Sequence, residues 1–141
     1  MKTINLFLFV FFILSFSSCK DKEFFVDEAL LDEWTLEWHE DANGNKIHEK
    51  PTNLPQDIIL VFRQGLDIGG QVASFSIEGT YSLEKDGSMA LNLFIPRLPT
   101  CCQWDETFLE SYSFVSRYEY NGGGYLRLYY DNGNKSVLFS N

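Results

Sequence analysis

A chain of 141 residues with 45% hydrophobic and 16% aromatic content can bury the core of one domain, and thirteen Phe, seven Tyr and three Trp against four Pro exclude a disordered chain. A formal net charge of −9 excludes nucleic acid and an anionic membrane surface as electrostatic partners. The same acidity otherwise speaks of solubility rather than of a particular chemistry.

The chain opens on a single charge, Lys2, then runs Ile-Asn-Leu-Phe-Leu-Phe-Val-Phe-Phe-Ile-Leu-Ser-Phe and exits through Ser17-Ser18-Cys19. A spanning helix needs ~20 apolar residues, so this run is short for one. A basic start, an apolar middle and a small-residue exit predict a secretory signal over residues 1–18. Ser17-Ser18-Cys19 resembles the lipobox of bacterial lipoproteins, with Phe16 where an aliphatic residue is usual. The resemblance implies that Cys19 is the lipid attachment site and the new N-terminus. Acyl chains anchor at ~0.8 kcal/mol per buried CH₂, which makes a spanning helix unnecessary. The expected location is the cell envelope, lipid-anchored at the outer membrane, on its periplasmic face or at the cell surface. Residues 19–26 read as a tether. Its Lys20-Asp21-Lys22-Glu23 is either a solvated spacer or a relative of the export signal of Bacteroidetes surface lipoproteins, though less acidic than most.

The remaining residues, 27–141, read as one β domain in which a period of two dominates. Trp34, Leu36 and Trp38 fall on one face of a strand, and Thr35, Glu37 and His39 on the other. Residues 41–45 have turn composition. Residues 57–63 suit a short buried strand, Gly69-Gly70 reads as a break, and Ala73, Phe75 and Ile77 then alternate with serines. Tyr81 and Leu83 precede the turn at 84–87. Met89, Leu91, Leu93 and Ile95 alternate until Pro96 ends that strand. Phe108, Leu109, Tyr112 and Val115 fall instead at helical spacing, with Asp105 placed as the cap. Strands resume around the Gly122-Gly123-Gly124 turn, and Asp131-Asn132-Gly133-Asn134 predicts a closing hairpin. About eight short strands with short connections make the sheet antiparallel. The expected fold is mainly β: a small, partly closed antiparallel barrel with one short helix near the C-terminal third.

Candidate chemistry is sparse. With Cys19 lipidated, only the adjacent pair Cys101-Cys102 remains. Consecutive Cα atoms lie ~3.8 Å apart, too close for an unstrained disulfide. The pair therefore reads as one core cysteine and one at a loop edge, with a vicinal disulfide as the alternative. His39 and His48 bracket the turn at 41–45 and read as exposed polar residues. A hairpin would bring them together, with Glu40 or Glu49 as a third metal ligand. Residues 41–52 are no calcium loop, because Thr52 stands where a bidentate Glu is required. Tyr118, Tyr120, Tyr125, Tyr129 and Tyr130 form an aromatic stretch whose ordinary reading is cross-strand packing, with a protein- or glycan-binding face as the alternative. No nucleophile elbow, phosphate loop or zincin motif is present. No catalytic residue, metal or cofactor is expected, and the sequence names no ligand-binding residue.

The order of signals resembles the META domain, also called HslJ-like, of bacterial envelope proteins. The matching residues are Trp34-Thr35-Leu36, Val61-Phe62, Gly79-Thr80-Tyr81, Thr100 before Cys101-Cys102, Glu106 with Phe108 or Leu109, Tyr118, Leu126 with Leu128, and Leu138-Phe139. They cover about residues 31 to 140. The family's Gly-Cys-Asn ahead of the Gly-x-Tyr is replaced here by Ala73-Ser74-Phe75. The resemblance implies a non-enzymatic structural or interaction module linked to envelope stress. A lipocalin-like lipoprotein that carries a small apolar ligand is the rival reading, and a hydrolase or redox protein using Cys101 or Cys102 is a more distant third.

Overall fold

The computed structural model describes residues 25–54, 56–96, 100 and 102–141. Nine strands form one sheet: β1 (Glu33–Glu40), β2 (Lys46–Glu49), β3 (Ile59–Phe62), β4 (Asp67–Val72), β5 (Phe75–Leu83), β6 (Met89–Phe94), β7 (Arg117–Tyr120), β8 (Tyr125–Tyr130) and β9 (Lys135–Ser140). One α-helix, α1 (Gln103–Ser111), continues into a 3₁₀ turn, Tyr112–Phe114. The strand order is β6-β5-β4-β3-β1-β9-β8-β7, every pairing antiparallel. The two ends of that row meet. Ser88 bridges to Arg117, the Met89 N–H donates to the Ser116 carbonyl at 3.1 Å, and the Tyr118 N–H donates to the Gly87 carbonyl at 3.1 Å. The result is the expected small antiparallel barrel, nearly closed, with α1 linking its last two ends. Near-closure removes most of the exposed strand edge that an open sheet would present.

Several local features differ from the periodicity. Gly69 and Gly70 do not break the chain; they lie inside β4. A Cβ on Gly70 would stand 1.9 Å from the Ile59 carbonyl oxygen, so the glycine lets β4 approach β3. The break falls at Ala73, whose φ of 52° turns β4 into β5. β5 is continuous through Gly79, where a Cβ would stand 2.1 Å from the Asn92 carbonyl oxygen of β6. The hairpin partner β2 has no alternating apolar face and was hidden for that reason. Helix α1 starts earlier than expected: Cys102 is its N-cap, and Asp105 is a buried member of the first turn rather than the cap.

A bulge in β1 controls what points inward. Leu36 pairs with Phe139 and Trp38 with Leu138, so Glu37 is the extra residue. Before it, Trp34 and Leu36 are fully buried; after it, His39 takes the inward position and Trp38 turns outward to half-burial. The interior is filled by Trp34, Leu36, Leu60, Phe62, Leu126, Leu128 and Phe139, each at most 2% exposed, with Trp104 and Phe108 of α1 packed onto them. The N-terminal end is pinned as well. Asp27 caps a 3₁₀ turn, Glu28–Leu30, and accepts a 2.9 Å hydrogen bond from the Tyr118 hydroxyl. Leu30 is fully buried, its carbonyl accepts from Trp34 Nε1 at 3.0 Å, and Phe25 packs against the same core.

Candidate functional site

The paired histidines are brought together as a hairpin requires, with His39 opposite His48 in the β1–β2 register and their ring centroids 6.1 Å apart. The expectation that both are exposed is not met: His48 is half-buried, and His39 is fully buried because the Glu37 bulge reverses the strand's phase. Its ring meets the Trp104 indole edge-on at 5.1 Å. Burial, reinforced by the nearby His48, pushes its pKa down to about 4, the Trp104 main chain pulling slightly the other way. Among the described residues, no cluster of three or more His, Cys, Asp or Glu is arranged to hold a metal ion.

Glu40 serves a different purpose. Its carboxylate is almost fully buried on the barrel's outer wall and accepts four hydrogen bonds. Trp38 Nε1 donates at 2.9 Å, Arg127 Nε at 2.7 Å and Nη2 at 3.3 Å, and Ser136 Oγ at 2.8 Å. Burial alone would raise its pKa, but the bonds from Arg127, Trp38 and Ser136 and the guanidinium charge together hold it below the usual value. Every acceptor position is used, so Glu40 ties β1, β8 and β9 together and has no lone pair left for catalysis.

Cys102 is half-buried against the core, while Cys101 and Cys19 lie outside the described residues. The tyrosines do not form one patch. Tyr118 and Tyr120 lean inward, Tyr130 is buried, and Tyr129 on the outer wall is covered by Arg117 at 3.9 Å and donates to Glu119 at 2.6 Å. Tyr125 stands 41% exposed at the start of β8.

Among the described residues, a cleft of about 440 Å³ lies between α1 and the β8–β9 hairpin. Small-ligand sites run to ~300–1,000 Å³, so the size is adequate. One wall is the C-terminal half of α1, presenting Thr107, Glu110 and Ser111. Phe114, 67% exposed, and Ser116 form one end where the chain leaves the helix. The opposite wall is Tyr130, Asp131, Asn132 and Lys135. Asp131 and Asn132 hold left-handed φ angles of 52° and 55°, which carry the two-residue corner outward beside the helix. Asp131 Oδ2 lies 3.9 Å from Lys135 Nζ. Burial, and then the Asp131 charge, raise the pKa of Tyr130 and keep its hydroxyl a donor. The sequence singled out the hairpin and Tyr130 but not the cleft. The available signal was Phe114, which lies off the Phe108, Tyr112 and Val115 stripe.

No family model matches the chain, and no curated protein does. Among solved structures, its fold is similar to a DUF4847 family protein from Bacteroides vulgatus, 14% identical, with a TM-score of 0.61 over 79% of this chain and 92% of that one. It is also similar to the NMR structure of a protein from Burkholderia xenovorans, 20% identical, with a TM-score of 0.60 over 86% of this chain and 94% of that one. At these identities the likeness is one of fold.

Proposed function

We propose that this chain is a lipid-anchored bacterial envelope protein, fixed to the membrane through Cys19, whose META/HslJ-like barrel acts as a rigid, non-enzymatic interaction module. The observation that carries the module reading is the filled interior. A carrier of the lipocalin type keeps its barrel open for a ligand, whereas here Trp34, Leu36, Phe62 and Phe139 occupy that space at no more than 2% exposure. The buried carboxylate of Glu40 is saturated by structural partners. Contacts with a partner then fall to the outer surface. The anchoring part rests on Ser17-Ser18-Cys19 and the apolar run before it.

Cell fractionation tests the anchor. Wild-type protein is expected in the membrane fraction with incorporated labelled palmitate, and Cys19→Ala is expected in the soluble fraction without label. A Cys19→Ala protein that stays in the membrane refutes the anchor. Titration with a fluorescent fatty acid tests the filled interior. One-to-one binding that quenches the tryptophans would turn the reading toward the carrier.

A further inference from the structure

The cleft between α1 and the β8–β9 hairpin joins an unbalanced charge to an exposed aromatic ring. Thr107 Oγ1 already donates to the Gln103 carbonyl at 2.8 Å, and Ser111 Oγ to the Phe108 carbonyl at 3.1 Å. Each hydroxyl has one hydrogen, so toward the cleft both are acceptors. Glu110 is exposed and belongs to none of the ion pairs among the described residues. Asp131 shares its charge with Lys135. Two carboxylates against one ammonium leave the cleft net negative, while Ser116, Tyr130 and Asn132 add neutral groups that both donate and accept. Beside them Phe114 presents an open ring, an apolar and π-rich platform that the fold itself does not use.

We infer that this cleft binds a small organic cation, a primary ammonium or guanidinium joined to an apolar group, with the charged head on Glu110 and Asp131 and the body against Phe114. A cationic head meets the net negative charge, and the ring adds cation–π attraction of ~0.5–1 kcal/mol at an exposed site. An anion would meet the net negative charge, and a neutral polyol, although it can donate hydrogen bonds, would gain nothing from that charge. The cation could be a free amine or the basic side chain of a peptide, since both offer the same head group. The cleft and its charges are the same whether or not Cys19 carries lipid.

Amide chemical-shift titrations test this with defined probes: phenethylammonium for a free amine, N-acetylarginine amide for a peptide side chain, and 2-phenylethanol, 3-phenylpropionate and glucose as neutral, anionic and polyol counterparts. Either cation, or both, is expected to move the amides of Glu110, Phe114 and Asn132, and which of them binds more tightly names the source. Glu110→Gln is expected to weaken cation binding by up to about fivefold, and Phe114→Ala by about two- to fivefold. The effect at Glu110 should fade in 0.5 M salt, as expected for a screened exposed charge. Both side chains are exposed, so the variants should keep the wild-type melting temperature. Equal binding of 2-phenylethanol, preference for 3-phenylpropionate or glucose, no binding by either cation, or unchanged affinity in Glu110→Gln would each overturn the assignment.

Discussion

His39 makes the fold sensitive to acid in a defined window. Its pKa falls from the ordinary 6.5 to about 4 in the folded chain, so the unfolded chain takes up a proton that the folded one refuses. Stability is therefore complete above pH 6.5, declines as pH falls from 6.5 toward 4, and loses nothing more to this group below that. Each pKa unit is worth 1.36 kcal/mol, so the full loss is roughly 3 kcal/mol, of which about 2 kcal/mol is gone by pH 5. Against a typical domain stability of 5–15 kcal/mol this is a large fraction. The perturbation is His39→Phe, which keeps an aromatic ring against Trp104 and removes the titrating nitrogens. The assay is urea unfolding followed by tryptophan fluorescence at pH 7.5, 6 and 5. Overpacking shifts the variant's stability equally at every pH, so the quantity that matters is the slope with pH. The wild type is expected to lose about 2 kcal/mol between pH 7.5 and 5, and the variant well under half of that. The depressed pKa of Glu40 acts only below the ordinary carboxylate range, which leaves this window to His39. Parallel losses in the two proteins, or a His39 resonance titrating near 6.5 in the folded chain, would refute the reasoning.

Arg127→Ala is expected to cost roughly 2–3 kcal/mol in the same unfolding assay, because it leaves the Glu40 carboxylate buried without its cation, while Ser136→Ala costs about 1 kcal/mol. Gly79→Ala forces a Cβ against the Asn92 carbonyl and should lose at least about 1–3 kcal/mol, whereas Gly123→Ala, in an exposed turn, should stay within about 0.5 kcal/mol. Tyr118→Phe removes the hydroxyl that holds Asp27; a loss of about 1 kcal/mol and faster proteolysis near residue 30 are the expected readouts. The Tyr118 phenol, pushed up to about 12 by burial and then by Asp27, should ionise late in a spectrophotometric alkaline titration, with the stability its hydroxyl contributes lost as pH rises from 10 toward 12.

The turn-and-strand punctuation of this chain is local physics, and so it is legible in the sequence. Alternating Met89, Leu91 and Leu93, the turn at 84–87 and the Asp131–Asn134 corner each depend on a few neighbouring residues, and together they give an antiparallel barrel with one late helix. The apolar run before Cys19 likewise carries its own reading. What the tertiary structure decided were the places where backbone meets backbone. Gly70 reads as a breaker until β3 is seen to come within a Cβ's reach, and then it is the residue that lets β4 be a strand. The Glu37 bulge exists because β1 must register with β9, and nothing in Glu33–Glu40 announces it. That one extra residue buries His39, turns Trp38 outward and places Glu40 where Arg127, 87 positions later, can saturate it. The cleft belongs to the same class. Phe114 and Asn132 are adjacent only because the barrel's near-closure sets α1 beside the β8–β9 hairpin, and a property that depends on closing a ring cannot be read from any one segment of it.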